Sequence, residues 1–304
     1  MPLSGYARGA IAADRFVLLE EIGDGGAACV FRARDLSSAD TVALKVAKAC
    51  DGCTTANFAR EAGALREVHH PNVAAFVAAG TLSDGRAYLA MQHVSGRPLR
   101  AILRSGPLSL DEALLLCAVI ADALGAIHAV GMIHRDLKPG NIIVPRDGQA
   151  PSFERAAIID LGVFGAMYSG PDGEPAHTRW GRVSGTALYM APEQLAGRAQ
   201  TTATDAYALG LLLHETIYGT VPLANEEVRV WRDPASGAFL AFTGPLVRRR
   251  LVEQVVLPSQ PHLDPVLRDL IIELLHPDAS CRPARMGDVA SSLRELLARR
   301  RERR

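Results

Sequence analysis

The sequence predicts an α+β fold in two lobes: a small β-rich lobe with one long helix, then a larger, mainly helical lobe. Three observations carry this. Between Arg15 and Val94, apolar residues fall in short runs punctuated by glycine or aspartate turns, with helical spacing once, over 55–68. From Ser109 onward the apolar segments are long, at 113–130 and 201–218, and read as buried helices. Between the first of these and Ile142-Ile143-Val144 lie His134 to Asn141, which set an acid, two bases and an amide in one short turn. A polar loop held between two buried elements is where a rigid scaffold presents reactive groups.

The bulk numbers are compatible with this and exclude several classes. A chain of 304 residues can bury a sizeable core and has room for two lobes or two domains. Hydrophobic residues at 48% against 22% charged exclude wholesale disorder. Lys+Arg and Asp+Glu both number 33, so no global field attracts nucleic acid or a membrane. Five scattered cysteines form no disulfide framework and suit a reducing cytoplasm. Cys50-x-x-Cys53 has no second pair at zinc spacing. The N-terminus shows no charged-then-apolar signal pattern. The longest apolar stretch, 113–133, contains Asp122 and His128, which fits a buried helix better than a membrane span.

Taken in order, residues 1–15 are Gly- and Ala-rich without a period and read as a flexible leader. Phe16 to Ile22 is a strand, Gly23-Asp24-Gly25-Gly26-Ala27-Ala28 a turn, and Cys29 to Arg34 a second strand. These glycines open a strand and not a helix, and no Gly-Lys-Ser/Thr follows, so neither a dinucleotide fingerprint nor a Walker loop is present. A Gly-rich hairpin does let backbone N–H groups approach phosphates without Cβ interference, although an ordinary turn reads equally well from these residues alone. In the strand Thr41–Val46, alternation puts Val42, Leu44 and Val46 on one face and Ala43 and Lys45 on the other. Small Ala43 leaves room for something flat beside a cation; a solvated edge lysine is the plainer reading. In the helix over 55–68, Glu61 lies on or beside the Phe58, Ala62, Leu65 stripe. A carboxylate there needs a cationic partner, and Lys45 is the natural one. Two further strands, 73–80 and 86–94, are joined by Ser83-Asp84-Gly85.

The second lobe opens on Ser109-x-x-Glu112, a capping box, and Gly131 closes the helix it starts. Residues 145–155 form a hairpin tip. Ala157-Ile158-Ile159 is a buried strand ending in Asp160-Leu161-Gly162, 24 residues after Asp136. Residues 224–260 show no clear period. The basic run Leu297–Arg304 reads as the solvated end of a last helix, with attraction to anionic lipid or an acidic partner as the sharper alternative.

The loop 134–141 reads H-R-D-L-K-P-x-N, which resembles the catalytic loop of protein kinases. Other parts occur in family order. Gly23, Gly25 and Val30 resemble the glycine-rich lid, with Ala28 in place of its third glycine. Val42-Ala43-Leu44-Lys45 resembles the lysine strand, and Met91-Gln92-His93-Val94 the hinge, with Met91 as gatekeeper and Gln92 where glutamate is usual. Asp160-Leu161-Gly162 resembles the metal-binding triplet, Gly185-Thr186 and Ala191-Pro192-Glu193 the substrate-facing end of an activation segment, and Cys281-Arg282-Pro283 the site whose arginine pairs with Glu193. The resemblance covers about 16–297 and implies a bilobal protein-kinase-like fold. It implies a kinase domain over 16–298, with an N-lobe over 16–94 and a C-lobe over 95–298, before a basic tail at 299–304.

The same resemblance implies roles. Asp136 orients the acceptor hydroxyl and takes its proton, and Lys138 stabilises the γ-phosphoryl oxygens. Asn141 and Asp160 hold Mg²⁺ (or Mn²⁺), and Lys45, set by Glu61, neutralises the α/β-phosphates of ATP. Gly23, Gly25, Val30, Ala43, Met91, Gln92, Val94 and Ile143 line the nucleotide. Arg135 suggests control by phosphorylation at Thr178, with Ser184 and Ser169 next; Thr186 faces substrate; Asp205 bonds the backbone of the 134–136 turn; and His134 belongs to the core. The implied activity is transfer to Ser/Thr hydroxyls of protein substrates, with self-association for autophosphorylation in trans and no nucleic-acid partner. Two alternatives stay open: a kinase-fold scaffold without turnover, motivated by Ala28, Gln92 and the 224–260 region, and a small-molecule phosphotransferase.

Overall fold

The computed structural model describes residues 7–25, 28–48, 52–161, 187–222, 229–232, 239–242, 250, 255–258 and 263–303. The chain divides into two compact units, Met1–Val94 and Ser95–Arg304.

The first unit is built on a six-stranded antiparallel sheet of order β1-β2-β3-β4-β6-β5. Its strands are β1 (Ile11–Ala12), β2 (Phe16–Asp24), β3 (Ala28–Asp35), β4 (Thr41–Ala47), β5 (Phe76–Thr81) and β6 (Ala87–Gln92). Helix α1 (Gly52–Glu67) sits between β4 and β5 in the chain. Alternation decides the packing: Val42, Leu44 and Val46 join Phe16, Leu18 and Phe31 in one apolar cluster. The expected leader is partly structured. β1 pairs with β2, Ala12 is buried, and Arg15 bonds Asp35 through two hydrogen bonds of 2.8 and 2.7 Å. A two-residue strand has no period to detect, so no pattern in the sequence signals it.

In the second unit, α2 (Leu99–Leu103) follows β7 (Arg97–Pro98). Helix α3 (Leu110–Ala129) starts at the predicted capping box: the Glu112 carboxylate accepts the Ser109 N–H at 2.9 Å and the Ser109 hydroxyl accepts the Glu112 N–H. Gly131, at φ +75°, takes the left-handed turn that ends it. Strands β8 (Ile142–Val144), β9 (Arg146–Asp147), β10 (Ala150–Pro151) and β11 (Ala157–Ile158) follow. β8 pairs with β7 and β11, and β9 with β10. Then come α4 (Pro192–Leu195), α5 (Thr202–Tyr218), the β12–β13 hairpin (Arg229–Arg232 and Phe239–Phe242), α6 (Pro265–Leu274) and α7 (Met286–Glu302).

Helix α5 is the core of this unit, buried from Thr204 to His214 and packed against α3 and α6. A Cβ at Gly210 would stand 2.8 Å from that of Leu274, so the glycine sets how closely α5 and α6 approach. The basic run does not detach at 299. Helix α7 continues to Glu302, with Arg300 bonded to Asp111 at 2.9 Å, which anchors it to α3.

Candidate active site

Residues expected to line a nucleotide sit on one face of the first unit's sheet. Directly opposed residues of antiparallel strands point the same way, and the register opposes Gly23 to Val30, Val30 to Lys45 and Ala43 to Met91. Val30, Ala43, Lys45 and Met91 therefore share the face opposite the apolar cluster, beneath the Gly23–Gly25 turn. On that face the Lys45 Nζ donates to both carboxylate oxygens of Glu61, at 2.8 and 2.9 Å. Both groups are buried, Glu61 fully, and the ammonium also lies 5.8 Å from the Phe58 ring centroid. The helical stripe that carries Phe58 and Leu65 inward carries Glu61 with it, as its spacing predicts.

Gln92 spends its N–H on the Ala75 carbonyl at 2.8 Å and its side chain is exposed, while Val94, the last residue of this unit, is half-buried. Cys29, in the same hairpin, has its thiol pushed up to about 11 by burial and by its hydrogen bond to Asp24, so it is a packing residue and not a nucleophile.

In the second unit the loop 134–141 is held by its backbone. Buried Asp205 accepts the N–H groups of His134 and Arg135, each at 2.8 Å, and lies 2.7 Å from His128 Nε2. The Arg135 carbonyl accepts from the Gln194 side chain at 2.8 Å, and Gln194 in turn accepts the Ala191 N–H. Both polar groups of Arg135's backbone are thereby fixed, and Arg135 is held at φ +68°, a region that non-glycine residues occupy only when their surroundings over-determine them. His134 is fully buried and its Nδ1 accepts the Asp136 N–H at 3.2 Å, which makes it a core residue that shapes the turn.

The chemistry-bearing groups converge on Asp136. Lys138 Nζ donates to both its oxygens, at 2.9 and 2.6 Å, and Asn141 Nδ2 donates to its carbonyl and its carboxylate, at 2.8 and 3.0 Å. The β8–β11 register opposes Ile142 to Ile158, and the Ile159 N–H donates to the Asn141 carbonyl, which brings Asp160 to the same end of the ladder as Asn141. Asn141 and Asp160 thus offer oxygen donors, the set a hard divalent cation such as Mg²⁺ or Mn²⁺ takes. Ile143, opposed to Ala157, is half-buried between buried Ile142 and Val144.

The Glu193–Arg282 pair forms as expected: Arg282 donates to both Glu193 oxygens at 2.8 and 3.0 Å. The guanidinium is otherwise spent on the carbonyls of Ala203, His276 and Pro277 and lies 4.8 Å from the centroid of the Tyr207 ring. The Thr204 hydroxyl adds a third bond to Glu193.

Four features were missed. Fully buried Arg250 donates to the carbonyls of Leu188 and Met190, so the 224–260 region, which shows no clear period, supplies a brace for the segment before Ala191. Tyr189, in that segment, donates to Glu215 at 2.5 Å. Gln194 and His128 hold the loop. Only His128 carried a signal: a histidine on an otherwise apolar helix wants a buried partner. Thr178, Ser184, Thr186, Ser169 and Gly162 lie outside the described residues.

Comparison with known proteins adds three findings. The family described as "Protein kinase domain" matches residues 16–294. The chain is 35% identical over 271 residues to "Serine/threonine-protein kinase pkn3" of Myxococcus xanthus, covering 86% of this chain and 46% of that protein. It is 33% identical over 301 residues to "Serine/threonine-protein kinase PknA" of Mycobacterium tuberculosis, covering 96% and 64%. The chain thus spans between about half and two thirds of these relatives' lengths. Among solved structures, the Mycobacterium tuberculosis PknI kinase domain matches at a TM-score of 0.64 and 20% identity, covering 95% of this chain and 98% of that one, which shows a shared fold.

Proposed function

The chain belongs to the protein kinase domain family, and from that premise we propose that it transfers the γ-phosphoryl group of ATP to serine and threonine hydroxyls of proteins. The observation that carries this is Asp136, with its carboxylate bonded by Lys138 and Asn141 on a loop whose backbone is clamped on both sides. Phosphoryl transfer asks for positioning and charge neutralisation more than for covalent chemistry.

In this reading Asp136 accepts a hydrogen bond from the substrate hydroxyl and takes its proton as that oxygen bonds the γ-phosphorus and the bond from phosphorus to the bridging oxygen breaks, releasing ADP. Lys138, already beside Asp136, carries a positive charge to the oxygens of the group in flight. Lys45, held by Glu61, serves the α/β-phosphates, while Gly23, Gly25, Val30, Ala43, Met91, Gln92, Val94 and Ile143 receive the nucleotide. Family members use ATP with a divalent metal; Asn141 and Asp160 would hold Mg²⁺, with Mn²⁺ as the alternative. When bound, that cation supplies charge neutralisation on the phosphates.

Several finer assignments rest on the same reading. Arg135 would pair with a phosphate placed on Thr178, Ser184 or Ser169 by a second copy acting in trans, and Thr186 would face the substrate. The end of α7, with Arg300 bonded to Asp111 and Arg299 to Glu295, fits a solvated helix end better than a membrane-binding patch. No helix among the described residues is long and apolar enough to cross a membrane.

The test is incubation with radiolabelled ATP and Mg²⁺, with a generic basic protein and a panel of small alcohols as acceptors, followed by phosphosite mapping. Label on Ser and Thr of protein that disappears in Asp136→Asn supports the proposal. Equal labelling in that variant, or transfer to small alcohols alone, refutes it. The absence of phosphate between 163 and 184 would remove the regulatory assignment only.

A further inference from the structure

The second unit carries a guanidinium at the reactive loop that none of the roles above uses. Gly140 sits four residues after Asp136, in the short turn Pro139–Asn141 that packs against α2. Its backbone is not left-handed, so the absence of a Cβ is a matter of space and not of conformation. What fills the space is Arg100: a Cβ on Gly140 would stand 3.3 Å from one terminal nitrogen of its guanidinium and 3.7 Å from Cζ and Nε. Arg100 is exposed, so its charge is open to whatever approaches the loop.

A second charged group lies near by. Glu215 of α5 is half-buried, takes the Tyr189 hydroxyl at 2.5 Å, and feels Arg100 electrostatically. Burial raises the carboxyl's pKa, against the Tyr189 bond and the Arg100 charge, which lower it. Tyr189 feels Arg100 too, and its segment is braced by Arg250. The acid here is thus already bonded and partly shielded, whereas the base is exposed and set directly against the loop that holds Asp136.

We propose that Arg100 is a specificity-determining residue that selects protein substrates with an acidic side chain, Asp, Glu or a phosphorylated residue, close to the acceptor hydroxyl. This rests on the kinase reading above. A carboxylate or phosphate gains a charge-assisted bond from a guanidinium already held beside Gly140, whereas a basic side chain meets a like charge there. The bare glycine is part of the device, because any acid grown from position 140 would take Arg100 for itself.

The test compares kcat/KM for three synthetic peptides sharing one acceptor serine, flanked by Glu, Gln or Lys, using the whole chain with ATP and Mg²⁺. Wild type should favour the Glu over the Lys peptide by about two- to fivefold, the range of a solvent-exposed charge pair. Arg100→Ala should erase that ratio while the Gln peptide is still phosphorylated, Arg100→Glu should invert it, and Gly140→Glu should erase it by pairing with Arg100. A wild-type preference for Lys, or a Glu preference untouched by all three substitutions, overturns the inference and leaves the kinase reading standing. No transfer to any peptide overturns both.

Discussion

Lys45–Glu61 and Lys138–Asp136 are two lysine–carboxylate pairs of similar length, both with the ammonium bonded to two oxygens, and they differ in burial. The side chains of the first pair are 7% and 1% exposed, those of the second 15% and 25%. In the first, both side chains are buried, so the charges have given up water for protein partners and neither can lose the other cheaply. In the second, the loop keeps the carboxylate reachable, and a hydroxyl can compete for it. Equal geometry therefore supports two roles: a buried pair that fixes an element, and an open one that offers a reactive group.

The largest effect should come from breaking the open pair. Asp136→Asn keeps the shape and removes the base, and is expected to lower phosphoryl transfer by about 10²- to 10⁴-fold. Its melting temperature should stay within a few degrees of the parent. A large loss of melting temperature would mean that this pair, too, is structural.

Next come the buried pairs. Glu61→Ala should cost about 3–5 kcal/mol of unfolding free energy, because the Lys45 ammonium stays buried without its carboxylate. Arg282→Ala should cost a similar amount, since buried Glu193 loses both bonds from the guanidinium and keeps the one from the Thr204 hydroxyl. Denaturant unfolding measures both, and a cost below about 1 kcal/mol in either would put that pair in the solvated class.

A smaller effect is expected from Gln194→Ala, which releases the Arg135 carbonyl. The stability cost should be about 1–2 kcal/mol, one hydrogen bond at a partly buried site. Turnover should fall with it, as Arg135 relaxes from its left-handed conformation and carries Asp136 with it. Unchanged kinetics would show that Asp205 alone suffices to hold the loop.

The smallest effect concerns pH. The Arg15 guanidinium, through its hydrogen bonds, holds the Asp35 carboxyl down at about 2, with backbone and side-chain bonds from Ser37 helping and burial opposing. A carboxyl whose folded pKa lies below its unfolded value stabilises the fold above the ordinary carboxylate range, and that contribution fades as pH falls toward about 2. Melting curves of Asp35→Asn should therefore lie below the parent at neutral pH and converge on it in acid. Parallel curves across that range would remove Arg15 as the cause.

Much of this was legible beforehand because it is written in local pattern. Alternation in Thr41–Val46 told which face Lys45 takes, helical spacing put Glu61 on the buried stripe, and the Ser109/Glu112 spacing gave the start of α3. Charge balance added one long-range contact: a carboxylate on a buried stripe demands a base, which pairs Lys45 with Glu61; the pairing of Arg282 with Glu193 came from family resemblance. Asp205 was placed against the 134–136 turn by family resemblance alone, and the bonds to His134 and Arg135 are there.

What the sequence by itself determined is the order and kind of the elements and which charged groups must be partnered. What only the tertiary structure decided is how backbone groups are held: Gln194 on Arg135, Arg250 on Leu188 and Met190, and the pairing of β1 with β2. The reason is physical. A side chain that bonds a carbonyl recognises a group every residue carries, so nothing in the partner's identity announces the contact. Arg100 beside Gly140 belongs to the same class, since a missing Cβ becomes a site only when the fold brings another chain segment to fill its place.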